Sequence, residues 1–197
     1  ACFKSSDFAI KLAKKTGARL NVFHISTAKE LSLFNNKIQL KDKKITAEVC
    51  AHHLWFTDND YKKLGSKIKW NPAIKSRNDR DSLWSAISDD RVDIIASDHA
   101  PHTEEEKNTK YLNCPSGGPM VQHTILSLLQ NCDNYGVSIE KIVEKISHNP
   151  AIIFEVNKRG FLREGYYADV VLIDPNSSTR VTKDSLLYKC GWSPFEG

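Results

Sequence analysis

The chain has 197 residues, 40% hydrophobic and 26% charged, with 28 basic and 24 acidic side chains and a net charge of +4. This is the composition of a globular chain with a sizeable core, not of a disordered or collagen-like one. No apolar run approaches the ~20 residues of a membrane span, and the densest basic stretch, Lys41 to Lys44, encloses Asp42 and reads as solvated surface rather than a nucleic-acid patch.

Phe8 to Lys15 reads as a helix with Phe8, Ile10, Leu12 and Ala13 on its apolar face, and Gly17 follows as its stop. Leu20 to Ile25 is a short apolar run, read as a buried strand, after which Ser26 or Thr27 is placed to cap a helix starting near Ala28. Lys44 to Cys50 is a second strand-like run. Lys67 to Trp70 is short and extended, because Asn71-Pro72 disfavours helix. Asn78 to Ile87 carries Leu83, Trp84 and Ile87 at helical spacing, and Val92 to Ala96 is a third buried strand. A polar loop from Thr103 to Asn113 follows, readable as a mobile cover or as plain surface. Helical patterns return over Met120 to Gln130 and Ile139 to Ile146, and a short helical piece follows Asn149-Pro150. The tail is turn-rich, with Ala168 to Ile173 as one more strand.

Strands alternating with helices predict an α/β fold with parallel strands. The boundary falls between residues 1–158 and residues 159–197, where the pattern changes character. Five cysteines, Cys2, Cys50, Cys114, Cys132 and Cys190, are odd in number and widely spaced. They predict reduced thiols in a cytoplasmic protein, not a disulfide framework or a zinc knuckle.

Each predicted strand ends in a polar cluster: His24 after the first, His52-His53 after the second, Asp98-His99 with His102 after the third. In a parallel barrel such tips share one mouth, and imidazole and carboxylate are suitable zinc ligands. A single histidine after a strand is more often structural. Three successive tips of this kind make a metal site a serious alternative.

Four segments together resemble the dihydroorotases. They are Asn21-Val22-Phe23-His24-Ile25-Ser26-Thr27, Glu48-Val49-Cys50-Ala51-His52-His53-Leu54, Lys69-Trp70-Asn71-Pro72-Ala73-Ile74-Lys75, and Asp93 through His102. They stand in that family's order. Gly160 to Gly165 with Ala168 to Asp174 resembles the return to the small β-domain of amidohydrolases, and Gly191 to Gly197 resembles the family's C-terminal region.

The resemblance implies the C-terminal part of a (β/α)8 barrel, about strands six to eight, followed by part of a small β-sandwich domain. It implies a two-metal zinc centre with His24 and Asp98 as ligands, and Asp98 as the catalytic acid/base. Asn71, His102, Ser116 and Gly117 would contact the substrate. The implied reaction is reversible hydrolysis of dihydroorotate to N-carbamoyl-L-aspartate in pyrimidine synthesis, by metal-activated hydroxide, in a homodimer acting on small molecules and on neither nucleic acid nor membrane.

Ala73 departs from the pattern, where a second proline is common, and so does Ser116, where an aromatic residue occurs. The family's His-x-His pair, bridging ligand, fifth-strand histidine and substrate-gripping arginine are absent, so the resemblance implies that an unseen segment or another chain supplies them, or that the protein is not an active enzyme. An allantoinase or dihydropyrimidinase, or an inactive dihydroorotase-like scaffold, are the competing readings. His52 and His53 are expected beside the site. His99, His123 and His148 are expected to be structural, Trp55, Trp70 and Trp84 to be core, and Cys50 and Cys114 to be buried thiols.

Overall fold

In the computed structural model, which describes all 197 residues, Leu20–Val22 (β1), Ile45–Cys50 (β2) and Ile94–Ala96 (β3) form a parallel sheet in the order β1-β2-β3. Leu20 pairs with Ile45 and Val22 with Ala47, while Glu48 pairs with Ile94 and Cys50 with Ala96. The two faces of β2 differ because strand side chains alternate. Ala47 and Val49 join the hydrophobic core with Leu54, Leu83, Trp84, Ile87, Ile95 and Leu128. Thr46, Glu48 and Cys50 face the other way. On that face Asn21 accepts from Thr46 Oγ1 at 2.8 Å and donates to Glu48 Oε2 at 3.4 Å.

The expected first helix is longer than its apolar pattern: Cys2–Thr16 (α1), closed by Gly17 with φ 72°. No helix follows at Ala28. A single 3-10 turn over Glu30–Leu33 takes its place. Glu30 is buried and accepts from Ser6 Oγ (2.9 Å) and Thr27 Oγ1 (2.8 Å). From β2 the chain passes without a loop into Ala51–Trp55 (α2), then Tyr61–Leu64 (α3). Lys67–Trp70, expected to be extended, begins inside the 3-10 turn Gly65–Ile68.

Arg77–Ser88 (α4) opens on a capping box, Ser76 Oγ accepting from the Asp79 amide and Asp79 from the Ser76 amide. The Asp79 carboxylate also accepts from the Ala28 amide (2.9 Å), joining α4 to the loop after β1. Trp84 donates to the Leu54 carbonyl (2.9 Å) and stacks on Tyr135, centroids 4.9 Å apart.

After β3 come Glu104–Lys107 (α5), Thr124–Cys132 (α6), Ile139–Val143 (α7) and Asn149–Ile153 (α8). Glu144–His148 is a π-helical turn between α7 and α8. At the N-terminal end of the sheet, Lys43 pairs with buried Asp93 (2.6 Å), and buried Lys145 with Asp90 (2.6 Å).

The polar loop after β3 is mostly exposed surface, as one of the two readings had it, but it is anchored. It holds α5, and Lys107 within it is fully buried. Ala168–Ile173 forms no strand: a strand needs a neighbour for its backbone ladder, and none lies beside it. Its Val171 and Leu172 are exposed at 69% and 95%. The last residues return to the first part of the chain, with Trp192 fully buried and donating to the His102 carbonyl (2.8 Å). No helix is long and apolar enough to cross a membrane. All five cysteines are free, and Cys50, Cys114 and Cys132 are buried.

Candidate active site

The strand tips share one construction. His24 lies two residues past β1, His52 two past β2 and Asp98 two past β3. His24 and Asp98 both leave their strands in the left-handed region, with φ of 44° and 46°. That conformation is uncommon outside glycine and tends to occur where function holds a side chain in place. The register Cys50↔Ala96, carried two residues on, sets His52 beside Asp98, and His52 Nε2 lies 3.9 Å from Asp98 Oδ2.

The electrostatics follow from depth. Burial raises the Asp98 carboxyl above its usual range, and the nearby His24 imidazole opposes the rise. His52 has no exposed surface, and burial, then His53 and His24, keeps its pKa well below the ordinary histidine value. Its ring stacks on Trp70 with centroids 4.4 Å apart at 9°. Neither of its nitrogens has a hydrogen-bond partner. Burial also lowers His53 to about 3. His53 Nε2 donates to the Pro72 carbonyl at 3.0 Å, because a carbonyl only accepts.

Of the sequence-predicted residues, His24 and Asn71 line one cleft of about 730 Å³ beside α1. Asp98 faces His52 and feels His24. His102 lines a second cleft, about 680 Å³, with His99, Tyr188 and Cys190. Its Nε2 donates to the Ser116 carbonyl (3.0 Å), leaving Nδ1 3.6 Å from Glu106. Gly117 is committed to the fold: its amide donates to the Lys69 carbonyl (2.9 Å), and its carbonyl accepts from Lys107 (2.8 Å). A Cβ at Gly117 would stand 2.6 Å from the Ala100 carbonyl oxygen, and φ there is 116°, so glycine is required.

The residues present suit a divalent metal. An imidazole and a carboxylate sit at separate strand tips, both part-exposed, and both are residue types that bind zinc. A second donor group, Cys50, His52 and His53, brings its ligand atoms within 4.8 Å of one another. It is the weaker candidate. Burial, then Asp98 and Glu48, pushes the Cys50 thiol well above its ordinary value, so a metal there would have to displace a tightly held proton.

Three features escaped the sequence reading. Glu48 is a buried carboxyl raised to about 7 by burial, with Asn21 lowering and Asp98 raising it. A carboxylate inside an otherwise apolar strand was its signal. His52 approaches Asp98 more closely than a place beside the site conveys; that approach is set by the β2–β3 register and by the Trp70 ring, which no spacing along the chain reveals. Lys107 gave no signal, since its three carbonyl partners are distant in sequence or lie in an irregular loop. His99 is structural, accepting at Nδ1 from the amides of Met120 and Val121. So is His148, which stacks on Phe161.

Comparison with known proteins bears on what this tip arrangement serves. The chain is 38% identical over 190 residues to a dihydroorotase of Endomicrobium trichonymphae, covering 95% of this chain and 44% of that protein. It is 37% identical to a dihydroorotase of Pyrococcus furiosus, covering 96% of this chain and 42% of that protein. It thus spans less than half the length of the curated relatives it matches. An L-hydantoinase (dihydropyrimidinase) from Arthrobacter aurescens superposes with a TM-score of 0.89 at 26% identity, over 99% of this chain and 44% of that one. The Saccharomyces cerevisiae dihydroorotase in complex with 5-fluoroorotic acid superposes with a TM-score of 0.69 at 22% identity, over 77% of this chain and 42% of that one, a likeness of fold alone. Residues 8–189 match the amidohydrolase family as a whole, and the chain belongs to that family.

Proposed function

We propose that this chain forms the C-terminal portion of a dihydroorotase, contributing about strands six to eight of a (β/α)8 barrel and, from residue 159, part of a small β-sandwich domain. The reaction is reversible hydrolysis of dihydroorotate to N-carbamoyl-L-aspartate, a step of pyrimidine synthesis. The observation that carries this reading is the matched pair of tips: His24 and Asp98 leave β1 and β3 in the same left-handed conformation and act on one another electrostatically. Curated relatives at 37–38% identity are dihydroorotases, which supports this substrate over a hydantoin.

His24 and Asp98 would hold zinc, in a two-metal centre completed by residues outside this chain. When bound, the metal supplies Lewis acidity that activates water and polarises the scissile amide. Asp98 takes the proton from the attacking water and hands it to the ring nitrogen as the C–N bond opens. Asn71 reaches the cleft it shares with His24 and offers an amide to the substrate's ring. His102, from the second cleft, and the Ser116-Gly117 turn that it hydrogen-bonds would also contact the substrate. Gly117 acts there by permitting close approach, since its own amide and carbonyl are engaged. The protein would act as a cytoplasmic homodimer on small molecules.

The test is turnover of dihydroorotate, hydantoin and allantoin by the zinc-loaded protein that carries this chain. Dihydroorotate should be preferred by orders of magnitude. Preference for hydantoin would favour the dihydropyrimidinase reading, and zinc binding without turnover of any of the three would leave a scaffold.

A further inference from the structure

We infer that His52 is a positioning residue for Asp98, holding its carboxylate through a hydrogen bond from Nε2; this rests on the reading of Asp98 as the acid/base. The geometry carries it. His52 occupies on β2 the station that Asp98 occupies on β3, two residues past the strand, and β2 and β3 are neighbours in register. The ring cannot turn away freely. It stacks flat on Trp70, whose far edge is backed by Gly118, where a Cβ would stand 2.8 Å from the indole. On the same helical turn, His53 is tied to the Pro72 carbonyl.

His52 is fully buried, yet both ring nitrogens lack a hydrogen-bond partner, a costly state for a native side chain. Asp98 Oδ2, 3.9 Å from Nε2, is the acceptor aimed at it. A movement of about 1 Å brings the pair to hydrogen-bonding distance. The Asp98 side chain is 34% exposed, so close packing does not block that movement. Active-site bonds of this kind often tighten only in the reacting complex.

The neighbouring histidine divides the labour. His53 fixes the backbone beside Asn71, while His52 fixes the carboxylate. Two consecutive imidazoles at the start of α2 thus serve two different parts of the proposed site. Neither needs to touch substrate.

The experiment uses the zinc-loaded protein that carries this chain, assayed at saturating metal. His52→Phe keeps a flat ring against Trp70 and removes the donor. Its kcat should fall roughly 10- to 100-fold, with KM within about twofold. His52→Gln returns an amide donor near the Nε2 position and should recover most of kcat, whereas His52→Asn places its amide near Nδ1 and should not. A native kcat in His52→Phe overturns the inference. So do equal losses in the Gln and Asn variants, which remain informative if the Phe variant does not fold. Asp98→Asn is run alongside: if that variant keeps turnover, the acid/base reading itself fails, whereas a dead Asp98→Asn with a normal His52→Phe removes only the role of His52.

Discussion

Lys107 donates from its ammonium to the carbonyls of Gly117 at 2.8 Å and Pro115 at 3.0 Å, from a side chain with no exposed surface. The ammonium also stands 5.8 Å from the centre of the Trp192 ring. One cation therefore gathers α5, the Pro115–Gly117 turn and the C-terminal segment. Burial lowers its pKa, and the neighbouring Cys114 side chain opposes that fall. Lys107→Met should lower stability by about 2–4 kcal/mol, because it strands buried carbonyls that methionine cannot satisfy. Urea unfolding measures this, and an unshifted midpoint would show that the ammonium is not holding the turn.

Asp98→Asn keeps the size of the side chain and removes its capacity to take a proton. The expected outcome is a folded protein with an unchanged thermal midpoint and turnover reduced by about 10²- to 10⁴-fold. His24→Ala should instead lower zinc content, read by metal analysis of the purified protein. Normal zinc with normal turnover in that variant would take His24 out of the metal site.

Elements with a strong local signal were readable from sequence. The three strands and the helix over Arg77–Ser88 are where apolar spacing placed them, since buried runs such as Ile94–Ala96 need no distant partner to be recognised. Ala168–Ile173 has the same local character yet forms no strand, because strand formation depends on a neighbour that its own residues cannot specify. The helix expected at Ala28 is only the 3-10 turn Glu30–Leu33, tied by Glu30 to Ser6, 24 positions away. At the site, residue types at strand ends singled out His24 and Asp98. The orientation of His52 was not legible, because it is set by the ring of Trp70 and by parallel register rather than by spacing along the chain.

Gly118 tests how firmly that ring is held. An added methyl would stand 2.8 Å from Trp70 Cζ2 and 3.3 Å from Trp192, so one indole has to move. Both indoles are buried, and overpacking of this kind costs about 1–3 kcal/mol. Gly118→Ala should lower the thermal midpoint and alter the near-ultraviolet circular dichroism that reports tryptophan packing. An unchanged spectrum would mean that the indoles have room the structure does not show.

The buried ionisable groups give the protein two opposed pH dependences. His53 is held at about 3 by burial against an ordinary value of 6.5. The unfolded chain therefore binds a proton that the native state refuses, and stability present above 6.5 is lost as pH falls toward about 3. Glu48 has the reverse sign. Burial raises it from 4.5 to about 7, so the native state keeps a proton that the unfolded chain releases. Its stabilising contribution is full below 4.5 and is lost as pH rises through about 7. Between those limits the two partly cancel, and single variants separate them. His53→Asn should lose less stability than the native protein on acidification from neutral pH to about pH 5. Glu48→Gln, a neutral isostere, should gain on the native protein as pH rises over the same span. Urea midpoints measured against pH decide both, and a Glu48→Gln curve parallel to the native one would show that this carboxyl is ionised in the folded protein throughout.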